Sequence, residues 1–394
     1  MKYADRLKRM KASEIREMLS LVQKPGMISF GGGMPSPDSF PVSTIKKIAV
    51  DVLKRHGPEA LQYGSTEGLK KLREEIVKRN KKQGIKCDAD NVIVTSGSQQ
   101  VLDLTAKIFL NPGDYVFLES PTYMGALIAF NCYQPKYVGI PMDDEGMITV
   151  ELERRLKGIR RSKMDFVYTV PTFQNPSGVT MSLQRRKHLL EIADEHDLFI
   201  LEDDAYSDLR FSGKPVRPMK SMDKNNRVLY THTFSKTLAP GFRLGYVIAD
   251  TERIRKISIA KQAADICTNV FAQYIAYEYV KRGMLEKQLK KIKRMYKKKR
   301  NIMLKSLEKY FPEGCEWTRP EGGMFIWVTL PSKIDTRELF VDAVKEKVLF
   351  VHGSVFRVDE KGHNTMRLNF TNSNEKELEL GIKRLGNLVK KNMK

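Results

Sequence analysis

The sequence predicts an α/β fold: a mostly parallel, doubly wound sheet in a large domain, followed by a smaller α/β unit. Three observations predict it. From about residue 90, short β-branched runs alternate with helical patterns in the rhythm of successive βαβ units. Short polar loops, SGSQ, PTY, FQNPSG, DDAY and TFSK, each follow one of these runs. Two more strand-like runs, MFIWVTL (324–330) and TMRLNF (365–370), come after the alternation has ended. A chain of 394 residues is too long for one small core and suits two domains or one large α/β unit.

The elements follow in order. Helical periodicity covers 45–56 and 67–83. NVIVTSG (91–97) is a strand leading into the helical SQQVLDLTAKIFL, and DYVFLES (114–120) leads into YMGALIAF. MDFVYTV (164–170) ends in PTFQNPSG, DLFILEDD (197–204) ends in AYSDL, and RVLYTHTF (227–234) ends at Lys236. LGYVIAD (244–250) follows, then helical patterns over 251–310 and 374–391. The Pro240-Gly241 pair keeps any long helix from running through the segment after Lys236.

Composition excludes several classes. No apolar run reaches membrane-spanning length. The first residues, MKYADRLKRMKASEIREML, are amphipathic and contain acids, with no apolar core of a signal peptide. Cys87, Cys132, Cys267 and Cys315 are too dispersed for a disulfide framework or a metal knuckle, so a reducing, cytoplasmic location is expected. The net charge of +22 raises a nucleic-acid reading. Nearly half of the excess sits in residues 281–300, with eleven Lys/Arg against Glu286. The apolar residues there, Met284, Leu285, Leu289, Ile292 and Tyr296, recur at helical spacing. The run reads as a solvated face of a surface helix, and no nucleic-acid-binding signature accompanies it.

In open α/β sheets, ligands bind outside the carboxyl ends of the strands, so the five loops can converge on one site. Gly97-Ser98-Gln99 opens a helix, where free N–H groups and the helix dipole favour an anion; a plain helix cap is the alternative. Ser98, Thr233 and Ser235 add hydroxyls, and Arg243 adds a planar fork suited to phosphate. Tyr123 can stack on a flat ring or simply pack against the next helix. Asp203 can hold a ring-nitrogen proton; metal binding and helix capping compete with that reading, although no second acidic cluster supports a metal. Asn175 and Tyr206 can both donate to one phenolate-like oxygen, and Asn-Pro is also ordinary turn chemistry. Lys236, if desolvated and near Arg243, has a lowered pKa and can condense with an aldehyde. An aldehyde, a phosphate, a basic ring nitrogen and a phenolic oxygen together describe pyridoxal 5′-phosphate (PLP).

Ser235-Lys236-Thr-Leu-Ala-Pro240-Gly241-Phe-Arg243-Leu-Gly245 resembles the PLP-lysine motif of class I/II aminotransferases, the fold-type I family. The likeness runs from ISFGGGMP (28–35) to MRLNF (366–370). It is strongest with the 2-aminoadipate, kynurenine and aromatic aminotransferase branch, through KASEIREML, LQYGSTEGLKKLR, FQNPSG and PEGGMFIW. The resemblance implies a mostly parallel, seven-stranded-type sheet in a large PLP-binding domain over 48–290. Residues 1–47 and 291–394 would form the small domain. It implies that Lys236 binds the cofactor aldehyde covalently and moves the proton, and that Asp203 keeps the ring nitrogen protonated. Asn175 and Tyr206 would bond the ring oxygen, and Tyr123 would stack on the ring. Ser98, Gln99, Thr233, Ser235 and Arg243 would hold the phosphate. Tyr63 would reach the phosphate of a second copy, making a homodimer. Arg367, helped by Asn175, would grip the substrate carboxylate, with Gly33 leaving room for the substrate. Apart from the resemblance, Arg16 on the amphipathic segment ASEIREML can pair with an acidic substrate side chain and give way to an aromatic or aliphatic one; a plain surface arginine is the alternative.

The implied reaction is ping-pong amino transfer between an L-amino acid (aromatic, 2-aminoadipate or a broad range) and a 2-oxo acid such as 2-oxoglutarate. The alternative is another fold-type I enzyme such as a C–S lyase. Three positions depart from the branch pattern: Thr233 stands for serine, and Ala205 and His352 stand where proline is usual. No nucleic acid, membrane or metal partner is expected.

Overall fold

The structure, a computed structural model, describes residues 2–10, 26–160, 164–359 and 361–393. After a two-residue strand β1 (Ile28–Ser29), helix α1 (Val42–Leu61) bends at His56 (φ −140°, ψ 25°), just before Pro58, which can neither donate to the helical ladder nor avoid the carbonyl four residues back. Helix α2 (Lys70–Lys81) leads into β2 (Val92–Thr95), α3 (Ser98–Phe109), β3 (Tyr115–Ser120) and α4 (Met124–Asn131). Then come β4 (Lys136–Asp143), β5 (Gly146–Met147), α5 (Thr149–Leu156) and β6 (Met164–Thr169). Helix α6 (Leu183–Glu195) precedes β7 (Phe199–Asp203), β8 (Val228–Thr233) and β9 (Gly245–Ile248).

These strands form one eight-stranded sheet in the order β2-β9-β8-β7-β6-β3-β4-β5. Five neighbours, β8 through β4, are parallel; β9 runs antiparallel to β8 and β2, and the short β5 turns back on β4. The seven-stranded pattern expected from the sequence is present, with β5 added at the edge. Every residue of β7, β8 and β9 is buried, so these runs show no apolar–polar alternation, as expected where helices cover both faces. Strand order reverses between β3 and β6, and the loops after β3, β6, β7 and β8 open on the same edge beside that switch point.

Three helices follow: α7 (Thr251–Asp265), α8 (Val270–Lys281) and α9 (Met284–Tyr310). The single helical pattern over 251–310 is therefore broken twice. Ile266 adopts φ 60° and ψ −60°, and Asn269 accepts a 2.7 Å hydrogen bond from the Ala272 amide to start α8. Gly283, in the left-handed region at φ 64°, separates α8 from α9. Leu285, Leu289, Ile292 and Tyr296 are buried along α9, so the basic run of 281–300 does lie on an amphipathic helix.

The C-terminal part adds β10 (Glu316–Trp317), β11 (Phe325–Thr329), α10 (Thr336–Lys345), β12 (Val348–Leu349), β13 (Val351–His352), β14 (Thr365–Asn369) and α11 (Glu375–Met393). Four of these strands make a sheet in the order β10-β11-β14-β13, and β12 pairs in parallel with β1. Helices α9 and α11 pack on each other, and Leu307 of α9 and Leu385 and Leu388 of α11 are buried. Each such side chain contributes about 1.5–3 kcal/mol relative to exposure. The sequence reading missed β4, α5, α6 and α10. Strand β4 contains Gly139 and Pro141 and is only partly buried, so its residues carry no clean strand signature.

Candidate active site

The five loops meet around a cavity of about 660 Å³. Its phosphate-like end begins at Gly97, which caps α3 at φ 81° with no side chain closing the helix start, so the first amide groups remain available. A Cβ at residue 97 would stand 2.7 Å from Arg243 Nη2, so only glycine lets the guanidinium come this close. Thr233 Oγ1 accepts a 3.1 Å bond from the Ser235 amide and donates to the Leu244 carbonyl at 3.2 Å, with Ser235 Oγ at 2.9 Å. Arg243 takes the left-handed conformation (φ 50°, ψ 46°), which returns its guanidinium to within 3.5 Å of Ser235 Oγ. Ser98 and Gln99 line the same end, and Gln99 donates to the Gly125 carbonyl at 2.7 Å. Ser98, Gln99, Thr233, Ser235 and Arg243 are thus brought together in the lining of one cavity, an arrangement that can hold an anion.

The middle of the cavity holds Lys236 and Asp203. Lys236 sits just past β8, where Nζ donates to the Gly33 carbonyl at 2.9 Å. Burial, with Arg367 and Arg243 nearby, pulls its pKa down to about 8. Asp203 ends β7. Tyr168 Oη donates to its Oδ2 at 2.9 Å, whereas Oδ1 is buried with no partner. Burial lifts the Asp203 carboxyl to about 7 against the opposing Tyr168 bond. Tyr123 lines the cavity beside them and lies so close over Gly125 that a Cβ there would be 2.3 Å from its ring.

At the far end, Asn175 bridges two functions. Its Nδ2 lies 3.5 Å from Tyr206 Oη, and its Oδ1 accepts from Arg367 Nη1 at 2.8 Å. Arg367 is 2% exposed. It donates to the Gly31 carbonyl at 2.6 Å, keeps a buried Nε without a partner, and lies 4.4 Å and 5.0 Å from the Phe325 and Phe356 ring centres. Burial draws its pKa down to about 10, the Tyr206 and Tyr123 hydroxyls opposing. Gly33 and Ala205 also line the cavity. His352 is buried on β13, with Nδ1 2.8 Å from Ser354 Oγ.

Two expected residues lie elsewhere. Tyr63 is 79% exposed in the loop after α1 and does not line this cavity. Arg16 falls outside the described residues.

The sequence reading missed the groups that hold these residues in place. Tyr168 anchors Asp203 from inside β6 and was hidden in an apolar run. Glu119, fully buried at the end of β3, accepts from Thr169 Oγ1 at 2.5 Å and Gln174 Nε2 at 3.1 Å, while the same Gln174 amide reaches the Pro121 carbonyl at 2.8 Å. This ties the Tyr123 loop to the Asn175 loop. Behind Asp203, Asp204 accepts from Tyr230 at 2.8 Å and Ser207 at 2.6 Å, and its carbonyl meets His232 Nδ1. His232 Nε2 lies 3.2 Å from Asp208, which also pairs with Arg79 at 2.6 Å. Burial would raise Asp208, but Arg79 and His232 outweigh it and hold the carboxyl well below its usual range. A buried acid within a hydrophobic run was the available sequence signal for Glu119.

The residues present fit PLP. The unpaired Asp203 Oδ1 awaits a proton donor, the glycine-backed cradle awaits an anion, and the Lys236 amine is held in a low-pKa state between them. Among the described residues, no group of three or more His, Cys, Asp or Glu side chains could hold a metal ion.

Comparison with known proteins agrees with this geometry. The aromatic-amino-acid aminotransferase 1 of Thermococcus litoralis is 49% identical over 388 residues, covering 98% of this chain and 93% of that protein. The 2-aminoadipate transaminase of Thermus thermophilus is 38% identical, over 97% of this chain and 95% of its own length. Among solved structures, the Pyrococcus horikoshii kynurenine aminotransferase, in complex with PMP, KYN and KYA, superposes with a TM-score of 0.96 at 49% identity. It covers 100% of this chain and 98% of that one. The model of the family "Aminotransferase class I and II" matches residues 25–385, and the protein belongs to this family of PLP-dependent amino-group transferases.

Proposed function

We propose that this aminotransferase moves the amino group of an aromatic amino acid, 2-aminoadipate or a broader set of L-amino acids to a 2-oxo acid such as 2-oxoglutarate. The observation that carries the substrate reading is Arg367. A buried guanidinium that donates to an amide oxygen and a backbone carbonyl lacks a counter-charge, and a substrate α-carboxylate supplies one with matching fork geometry. The C–S lyase alternative finds no support, since the relatives compared are named for amino transfer.

The residue roles follow from position and protonation. When bound, PLP supplies an aldehyde that captures amines and a protonated ring that accepts electrons from the substrate Cα–H bond. Asp203 Oδ1 would hold the ring-nitrogen proton, and a carboxyl raised by burial would gain from that cationic partner the charge balance it lacks. Asn175 Nδ2 and Tyr206 Oη would donate to the ring oxygen, and Tyr123 would stack on the ring. Ser98, Gln99, Thr233, Ser235 and Arg243 would hold the phosphate. Lys236 Nζ, drawn toward neutrality by burial and its cationic neighbours, takes a proton from Cα and returns it on the other side of the reaction. Arg367 and Asn175 fix the carboxylate, so one Cα bond faces the ring and competing orientations are excluded.

Other parts of the reading rest on single features. Tyr63 is proposed to complete the phosphate site of a second copy in a homodimer; its 79% exposure, beside the similarly exposed Leu61, gives it no use within its own chain. The division into a large domain over 48–290 and a small one over 1–47 and 291–394 is supported by the sheets. The eight-stranded sheet falls wholly in the first range, and the two smaller sheets fall in the second. A cytoplasmic location is supported by the four free cysteines, and no described helix is long and apolar enough to cross a membrane. Arg16 is proposed to pair with acidic side chains, so Arg16→Ala should reduce glutamate or 2-aminoadipate turnover more than that of phenylalanine or leucine.

The test of the carboxylate site is Arg367→Lys, which retains charge and loses the fork. KM for every amino acid substrate should rise about 10–100-fold, with a smaller change in kcat. An unchanged KM contradicts the assignment.

A further inference from the structure

On the other side of the chain segment that follows Asp203 lies a second, wider cleft of about 1040 Å³. Residues 205 and 206 line the catalytic cavity, and Ser207 and Asp208 line this cleft, so a single stretch of backbone separates the two. One wall is helix α9, which presents Lys290, Lys293, Arg294 and Lys297. These positions are spaced i, i+3, i+4 and i+7, so they form one stripe on one helical face. The facing wall carries Lys82, Arg210 and Arg217.

Lys287, Lys291 and Lys305 elsewhere on α9 also lack a carboxylate partner among the described residues, so what sets this cleft apart is that it gathers such cations around one space. Further along α9, Lys298 and Lys309 pair with Glu375 and Glu379 at 2.7 Å and 3.2 Å. In the cleft, Arg210 has Glu321 at 2.5 Å, but no carboxylate among the described residues pairs with the four α9 cations, Lys82 or Arg217. The lining acid, Asp208, is already engaged by Arg79 and His232. Two facing walls of one sign, around a concave space of small-molecule size, focus potential on an anion between them.

We infer that this cleft binds a compact, multiply charged phosphate anion. Its two walls suit a short phosphate chain better than nucleic acid. A duplex needs a broad open surface, and a single strand needs free aromatic platforms, whereas the cleft's Phe211 ring already carries the Arg300 guanidinium at 4.9 Å.

The test uses PLP-loaded enzyme, so that the catalytic phosphate cradle is filled. Inorganic tripolyphosphate and a nucleoside triphosphate are titrated separately by calorimetry at about 150 mM salt, where exposed charges are screened beyond roughly 8 Å. This separates a bare phosphate chain from one attached to an organic group. The variant Lys293→Ala/Arg294→Ala removes two cleft charges. Lys287→Ala/Lys305→Ala removes the same charge from α9 outside the cleft. Binding of either anion should weaken at least about tenfold in the first variant and less than about twofold in the second, with the bound-PLP spectrum unchanged in both. Failure of both anions to bind the parent enzyme, equal loss in the two variants, or binding of nucleic acid alone overturns the inference.

Discussion

Tyr168 donates a 2.9 Å hydrogen bond to Oδ2 of Asp203 and leaves Oδ1 buried and unpaired. One oxygen of the carboxylate is thereby fixed by the protein while the other is left for a ligand. Tyr168→Phe removes only the hydroxyl. A hydrogen bond to a charged group is worth about 1.5–3 kcal/mol, so kcat/KM should fall roughly 10–100-fold while the melting temperature changes little. Unaltered kinetics would show that Asp203 needs no second anchor.

Asp203 should also impose a cost on the cofactor-free protein. Its carboxyl is raised from 3.8 to about 7 by burial. The folded state therefore holds a proton that the unfolded chain has lost between those values, and stability falls as pH rises from about 4 to about 7. PLP-free Asp203→Asn avoids burying that charge. Denaturant unfolding at pH ~8 should show it more stable than the parent by a few kcal/mol, with the gap closing toward pH ~4. A less stable Asn variant at pH ~8 contradicts this.

Lys236 gives a second pH signature. Only the neutral amine attacks an aldehyde, and burial lowers its pKa from 10.5 to about 8. The rate at which PLP-free protein captures PLP should climb about tenfold per pH unit below 8 and level off above it. A rate still climbing toward pH ~10 means the amine is not perturbed.

Gly97→Ala tests the cradle. The added Cβ would stand 2.7 Å from Arg243 Nη2, in a backbone conformation with φ 81°. Displacing the guanidinium should raise the Kd for PLP by about 10–100-fold, measured by equilibrium dialysis, with amino acid selectivity retained. An unchanged Kd would remove Arg243 from the phosphate site.

Much of this site was legible in the sequence because strand ends bring short loops together whatever lies between them. Lys236, Asp203, Asn175, Tyr123, Ser98 and Ser235 each sat at the end of, or shortly after, a recognisable β-branched run. Arg367 was legible through the resemblance alone, since a lone arginine in TMRLNF has no local signature. Tyr168 and His232 were not legible: they lie inside buried strands and act through partners 35 and 28 residues away. Strand β4 failed for a different reason, its Gly139 and Pro141 masking an element that tertiary pairing with β3 defines. The basic run of 281–300 was correctly placed on a helix, but periodicity could not reveal that four of its cations face three others across a cleft.

The central claim is that Lys236 is the PLP-bearing amine of a transaminase. Purified enzyme should be treated with borohydride and peptide-mapped, and in parallel its visible spectrum followed through addition of an amino acid and then 2-oxoglutarate. The account predicts a reduced PLP adduct on Lys236, a band lost with the amino acid, and the same band restored by the 2-oxo acid. An adduct at another lysine, or a band that the 2-oxo acid does not restore, would contradict it.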